Sequence, residues 1–102
     1  MMEGSVPAEG AFVASEDGAT WRFEGALTLD NAVAVLSASE ALALPRSGRV
    51  DLSAIATADS AALAVLFALK RRAKSHRHAL AFEGMPASLA SLARVYGVDE
   101  LV

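Results

Sequence analysis

VDLSAIATADSAALAVLF, residues 50–67, runs from a strand-like start through a polar turn into an apolar helix. Reading VDLSAI, 50–55, as a strand and SAALAVLFALKRRAKSH, 60–76, as a helix makes this a strand-to-helix junction. In the helix Leu63, Leu66, Phe67 and Lys70 fall at i, i+3, i+4 spacing. The junction delivers Asp59-Ser60 to the helix start. The plain role of that pair is an N-cap, with a side-chain oxygen accepting an orphan N–H of the first turn. The same end of a helix also favours an anion, so a phosphoryl group on Ser60 is the competing role.

Working outward, AFVAS (11–15) and ATWRFEGALT (19–28) are strand-like and flank Asp17-Gly18, a hairpin signal. Trp21 and Phe23 alternate with Arg22 and Glu24 at period two. LDNAVAVLSASEALAL (29–44) reads as a helix with Thr28 or Asp30 as cap and Ala32, Val33, Leu36 and Leu42 as its stripe. Pro45 and Gly48 stop it. ALAFEG (79–84) is a further strand. Pro86-Ala87-Ser88 opens a last helix, Ser88 to Tyr96, with Gly97 at C′. The order β-β-α-β-α-β-α predicts an α/β domain, with a mixed four-stranded sheet and three helices, over residues 11–102. Residues 1–10 read as a frayed tail.

Composition narrows the function. Apolar residues are 54% of the 102 and charged residues 21%, so the chain can bury a core. A net charge of -3 argues against capture of nucleic acid. The absence of cysteine excludes thiolate chemistry and cysteine-based zinc sites. His76 and His78 stand two apart, without helical or Cys/His ligand spacing, so no metal is expected. No Walker, dinucleotide or zinc-protease motif occurs, and Glu24, Asp30 and Asp51 are isolated carboxylates. The reading is a binding or regulatory module: no enzyme, no cofactor. The start MMEGSVPAEGAFVAS has no signal-peptide pattern, and the apolar runs are too short to span a bilayer, which gives the expectation of a soluble cytoplasmic protein. KRRAKSHRH (70–78) reads as a solvated helix end whose cations complement the dipole, in preference to a patch for an acidic partner or lipid.

The order of elements, with VDLSAIATADSAALAVL at its centre, resembles the STAS domain. Three stretches, FEGALTLDNAVAVL, VDLSAIATADSAALAVLFALKRRAK and LAFEGMPASLASLARVYGVDELV, are similar to the STAS subunit of Mla phospholipid-transport systems. That resemblance implies a non-catalytic subunit that binds the cytoplasmic ATPase of an inner-membrane ABC transporter. Ser60 then stands at the family's hydroxyl position and Asp59 at the Asp before it, with the Thr28-Asp30-Asn31 loop beside them. The implied partner surface is Thr28, Asp30, Asn31 and Thr57 with Asp59, Ser60, Ala61 and Ala64. The alternative is an anti-sigma factor antagonist phosphorylated on Ser60. Its usual motif continues with a small or hydroxyl residue, then Gly and an aliphatic; here Ala61 and Ala62 precede Leu63, which weakens the phosphoswitch more than the docking reading. Self-association as a homodimer is left open.

Overall fold

The computed structural model describes residues 10–98. Its elements are β1 (Ala11–Ala14), β2 (Thr20–Leu27), α1 (Ala32–Ser39), β3 (Arg49–Ala58), α2 (Ser60–Ser75), β4 (Ala81–Glu83) and α3 (Ala87–Val95). They follow the expected order β-β-α-β-α-β-α. The sheet runs β1-β2-β3-β4 and is mixed, with β1 antiparallel to β2 and the other pairs parallel. The expected tail, apart from Gly10, lies outside the described residues.

One face of the sheet is apolar and covered by helices. Trp21, Phe23, Leu27, Val50, Leu52 and Ile55 meet Leu63, Leu66, Leu69 and Leu89 there. Arg22, Glu24 and Asp51 point the other way, into solvent. Period-two alternation in β2 produces this division directly. In β3 the alternation is interrupted. Arg22 pairs with Asp51 but Glu24 pairs with Ala54; Gly25 pairs with Ile55 but Ala26 pairs with Thr57. Each slip is a bulge that gives β3 one surplus residue. The inward positions of β3 are therefore Val50, Leu52, Ile55 and half-buried Ala58, with Ser53-Ala54 and Ala56-Thr57 outside.

The β1–β2 hairpin closes on Asp17-Gly18. Gly18 takes φ +72°, a left-handed value that a Cβ disfavours. Asp17 Oδ1 accepts from Ala19 N (3.0 Å) and from the Ser15 hydroxyl (2.8 Å). These two donors hold the Asp17 carboxyl below the 3.8 of a free aspartate. A depressed folded-state pKa means that the turn's contribution is complete above pH 3.8 and is lost as pH falls through the lower folded value. We expect the stability difference between wild type and Asp17→Asn to shrink from about pH 6 to about pH 2, read as urea midpoints.

The first helix departs from expectation. It covers 32–39 instead of 29–44, and its N-cap is Asn31, not Thr28 or Asp30, with no side-chain capping bond. The Asn31 side chain instead accepts from Thr28 N (2.9 Å) and donates to Ala26 O (2.8 Å), holding 28–31 as a turn. At the far end three ties from outside the helix draw the chain off its axis. Trp21 Nε1 donates to Ala43 O (3.0 Å), and Arg72 donates to Ser39 O (3.1 Å) and Leu42 O (2.8 Å). Pro45 further disfavours helix at Leu44. The buried residues of α1 are Val35 and Ser39, while Val33 of the expected stripe is 82% exposed.

α2 and α3 end alike. His78 N donates to Ala73 O (2.8 Å) and Arg77 N to Lys74 O (3.0 Å); Val98 N donates to Ala93 O (2.8 Å) and Gly97 N to Arg94 O (3.0 Å). Both are Schellman closures, which need a left-handed residue at C′. Gly97 meets that need at φ +70°, as its position before the end suggested, but in α2 the residue is Arg77 at φ +56°. We expect Arg77→Gly to stabilise the domain by about 0.5 to 1 kcal/mol, since it relieves a left-handed side chain but loosens the unfolded chain. An unchanged or lowered urea midpoint would overturn this account. Of the basic run, Arg72 caps α1, Lys70 Nζ lies 5.5 Å from the Phe82 ring centre, and His78 Nε2 is 2.6 Å from Pro45 O. Arg71, Lys74 and Arg77 are exposed.

Candidate functional site

Asp59 organises the junction. It is the N-cap of α2, and its extended backbone (φ -130°, ψ -168°) continues β3 into the helix start. Oδ1 accepts from Ala61 N (2.9 Å). Oδ2 reaches the preceding loop and accepts from Leu29 N (3.0 Å). One carboxylate thus clamps the β2–α1 turn to the start of α2. Ala62 N also donates to Asp59 O (3.0 Å), so two amides of the first turn are already engaged.

That clamp leaves Ser60 as the exposed first residue of α2. Ala64, one turn on, is exposed, and Ala61 is half-buried. Thr57 is exposed near the end of β3, opposite Ala26. Asp30 is exposed at the tip of the turn and Thr28 is half-buried. Asn31 is only 5% exposed and both ends of its amide are used within its own loop, so it shapes the surface without presenting a group on it. The residues singled out in the sequence fall into one region, the carboxyl ends of β2 and β3 and the amino end of α2. Junctions of this kind are where α/β sheets present binding sites.

Sequence reasoning missed the apolar part of this surface. A groove of about 260 Å³ is lined by Ser60, Leu63, Ala64 and Phe67 of α2 with Tyr96 and Val98 after α3. On the α1 side Leu29 is 78% exposed and Val33 82%. Tyr96 is 58% exposed. The signal was present at Leu29 and Val33, apolar residues that fall outside a coherent helical stripe once the helix starts at 32. Tyr96 and Val98 meet Ser60 only through the tertiary fold. A second hollow, of about 300 Å³, lies on the uncovered sheet face between Val13, Arg22, Arg49, Asp51 and Glu83. Its charges are largely satisfied, Arg22 by Glu24 (2.6 Å) and Arg49 by Glu83 (3.1 Å), and it offers an incoming ligand little.

The family model described as "Mlab, STAS domain" matches residues 11–102. None of the curated proteins compared matches the chain. The matched span includes all seven elements, the Asp59 clamp and the residues that follow α3, and this chain belongs to the MlaB-type STAS domain family.

Proposed function

We propose that this protein is a non-catalytic, cytoplasmic subunit that docks on the ATPase of an inner-membrane phospholipid ABC transporter and supports its activity. The observation that carries the reading is the exposed apolar surface at the amino end of α2: the groove of Leu63, Ala64, Phe67 and exposed Tyr96 beside Ser60, with exposed Leu29 held to Asp59. Exposed apolar side chains grouped at one place mark protein docking surfaces. Small side chains at Ala61 and Ala64 permit close approach of a partner element, and the Ser60 hydroxyl supplies one directional bond. The absence, among the described residues, of any helix long and apolar enough to cross a membrane fits attachment through a partner. Affinity capture with tagged protein tests it: recovery of an ABC ATPase with its permease is the expected result, and their absence from a capture that retains folded bait would overturn it.

The alternative, an anti-sigma factor antagonist switched by phosphorylation, draws on the exposure of Ser60. Ala61 and Ala62 work against it: where the antagonist motif continues to a Gly before the aliphatic residue, this chain has Ala62, whose Cβ removes a glycine's freedom of close backbone approach at the turn. Native protein heavier by one phosphoryl group, with a kinase among its captured partners, would replace the transporter reading.

A further inference from the structure

The surface at the amino end of α2 is built from two separate elements, the 28–31 turn and the first turn of α2, and one side chain joins them. Among the described residues, the bond from Leu29 N to Asp59 Oδ2 (3.0 Å) is the hydrogen bond that links residues 28–31 to the start of α2. The turn's own bonds, from Asn31 N and Ala32 N to Thr28 O and from Asn31 Nδ2 to Ala26 O, fix its shape and hold it to β2. Packing does not substitute for the link to α2, because Leu29 is 78% exposed and Asp30 beside it is exposed too. Each Asp59 oxygen already accepts a backbone N–H, Oδ1 from Ala61 and Oδ2 from Leu29, so the carboxylate has a task on either side within the fold. A large apolar side chain that is open to solvent yet anchored at its own amide is prearranged for an interface, since part of its ordering precedes the encounter.

We propose that Asp59 is a positioning residue: without touching the partner, it holds Leu29 where an apolar socket on the ATPase receives that side chain. The hold on Leu29 is independent of any partner; the reception of Leu29 rests on the docking reading above. Asp59→Ser separates the two tasks of the carboxylate. Serine caps a helix about as well as aspartate, but one hydroxyl oxygen engaged at the first turn of α2 cannot also serve the Leu29 amide. The urea midpoint of Asp59→Ser should therefore stay close to that of wild type. Its Leu29 amide should exchange with deuterium about three- to tenfold faster, as the loss of one hydrogen bond requires. An unchanged exchange rate would overturn the hold.

Affinity for the purified ATPase is then compared across wild type, Asp59→Ser, Leu29→Ala and the double variant. Leu29→Ala removes the anchor itself and should weaken binding by at least about tenfold. Asp59→Ser leaves the anchor in place but unfixed, and should weaken binding about three- to tenfold. If Asp59 acts through Leu29, its loss no longer matters once the leucine is gone, and the double variant should bind within about twofold of Leu29→Ala. Additive losses would show that Asp59 reaches the partner by another route and would overturn the positioning role. Wild-type affinity in either single variant would overturn it as well. If wild type itself does not bind the ATPase, the docking reading falls and takes this use of Leu29 with it, and the exchange rate alone decides the hold.

Discussion

On the docking reading proposed above, Ser60→Glu is expected to abolish capture of an ABC ATPase without weakening the fold. Ser60 is exposed and occupies the first position of α2, where a carboxylate is favoured by the helix dipole by about 0.3 to 1 kcal/mol, offset by its neighbour Asp59. The thermal midpoint should thus stay close to that of wild type. At a docked interface the same carboxylate is buried without a partner, which costs about 3 to 5 kcal/mol. That corresponds to a loss of affinity of roughly two to four orders of magnitude. The measurement is a titration of purified ATPase with each variant beside a melting curve. A Ser60→Glu protein that binds as wild type does would place Ser60 outside the interface. Ser60→Ala is milder, because Asp59 and not Ser60 provides the cap.

The largest stability effect is expected at Trp21. It is 1% exposed, lies 5.6 Å from Phe12 ring to ring, and donates its indole N–H to Ala43 O. Trp21→Ala removes the largest buried side chain, at about 3 to 5 kcal/mol. Against a total on the order of 5 to 15 kcal/mol, this leaves a chain close to unfolding. Trp21→Phe keeps a ring beside Phe12 and removes the hydrogen bond to the carbonyl of exposed Ala43, at about 0.5 to 1.5 kcal/mol. Urea denaturation of both variants separates packing from the hydrogen bond. A Trp21→Ala midpoint near that of wild type would show that Trp21 is not a central element of the core.

These two residues also show what could be read in advance. The Asp59-Ser60 junction was legible because both of its sides are local patterns, a strand-like run and a helical repeat, and a capping carboxylate is recognisable between them. Trp21 and Phe23 were legible as inward positions for the same reason. The end of α1 was not, because it is set by Trp21, 22 residues before Ala43, and by Arg72, 33 residues after Ser39. A propensity window sees neither. Asn31 was expected beside the binding surface because its loop, like Asp59-Ser60, sits at a strand-to-helix junction; its amide is used inside that loop. The groove escaped because Tyr96 and Ser60 belong to different elements, and only the packing of α3 against α2 joins them.

The two surplus residues of β3 have a consequence for how this strand tolerates a change of length. A strand advances about 3.3 Å per residue and alternates faces. Losing the surplus residue at Ser53-Ala54 would restore regular alternation and leave Ile55 and Ala58 inward and opposite the same β2 residues, removing only the local bend and added twist of the bulge. An added residue with no bulge to absorb it would instead turn Ile55 and Ala58 to the solvent face. The direction in which β3 delivers Asp59 and Ser60 is therefore set by local twist at the bulges.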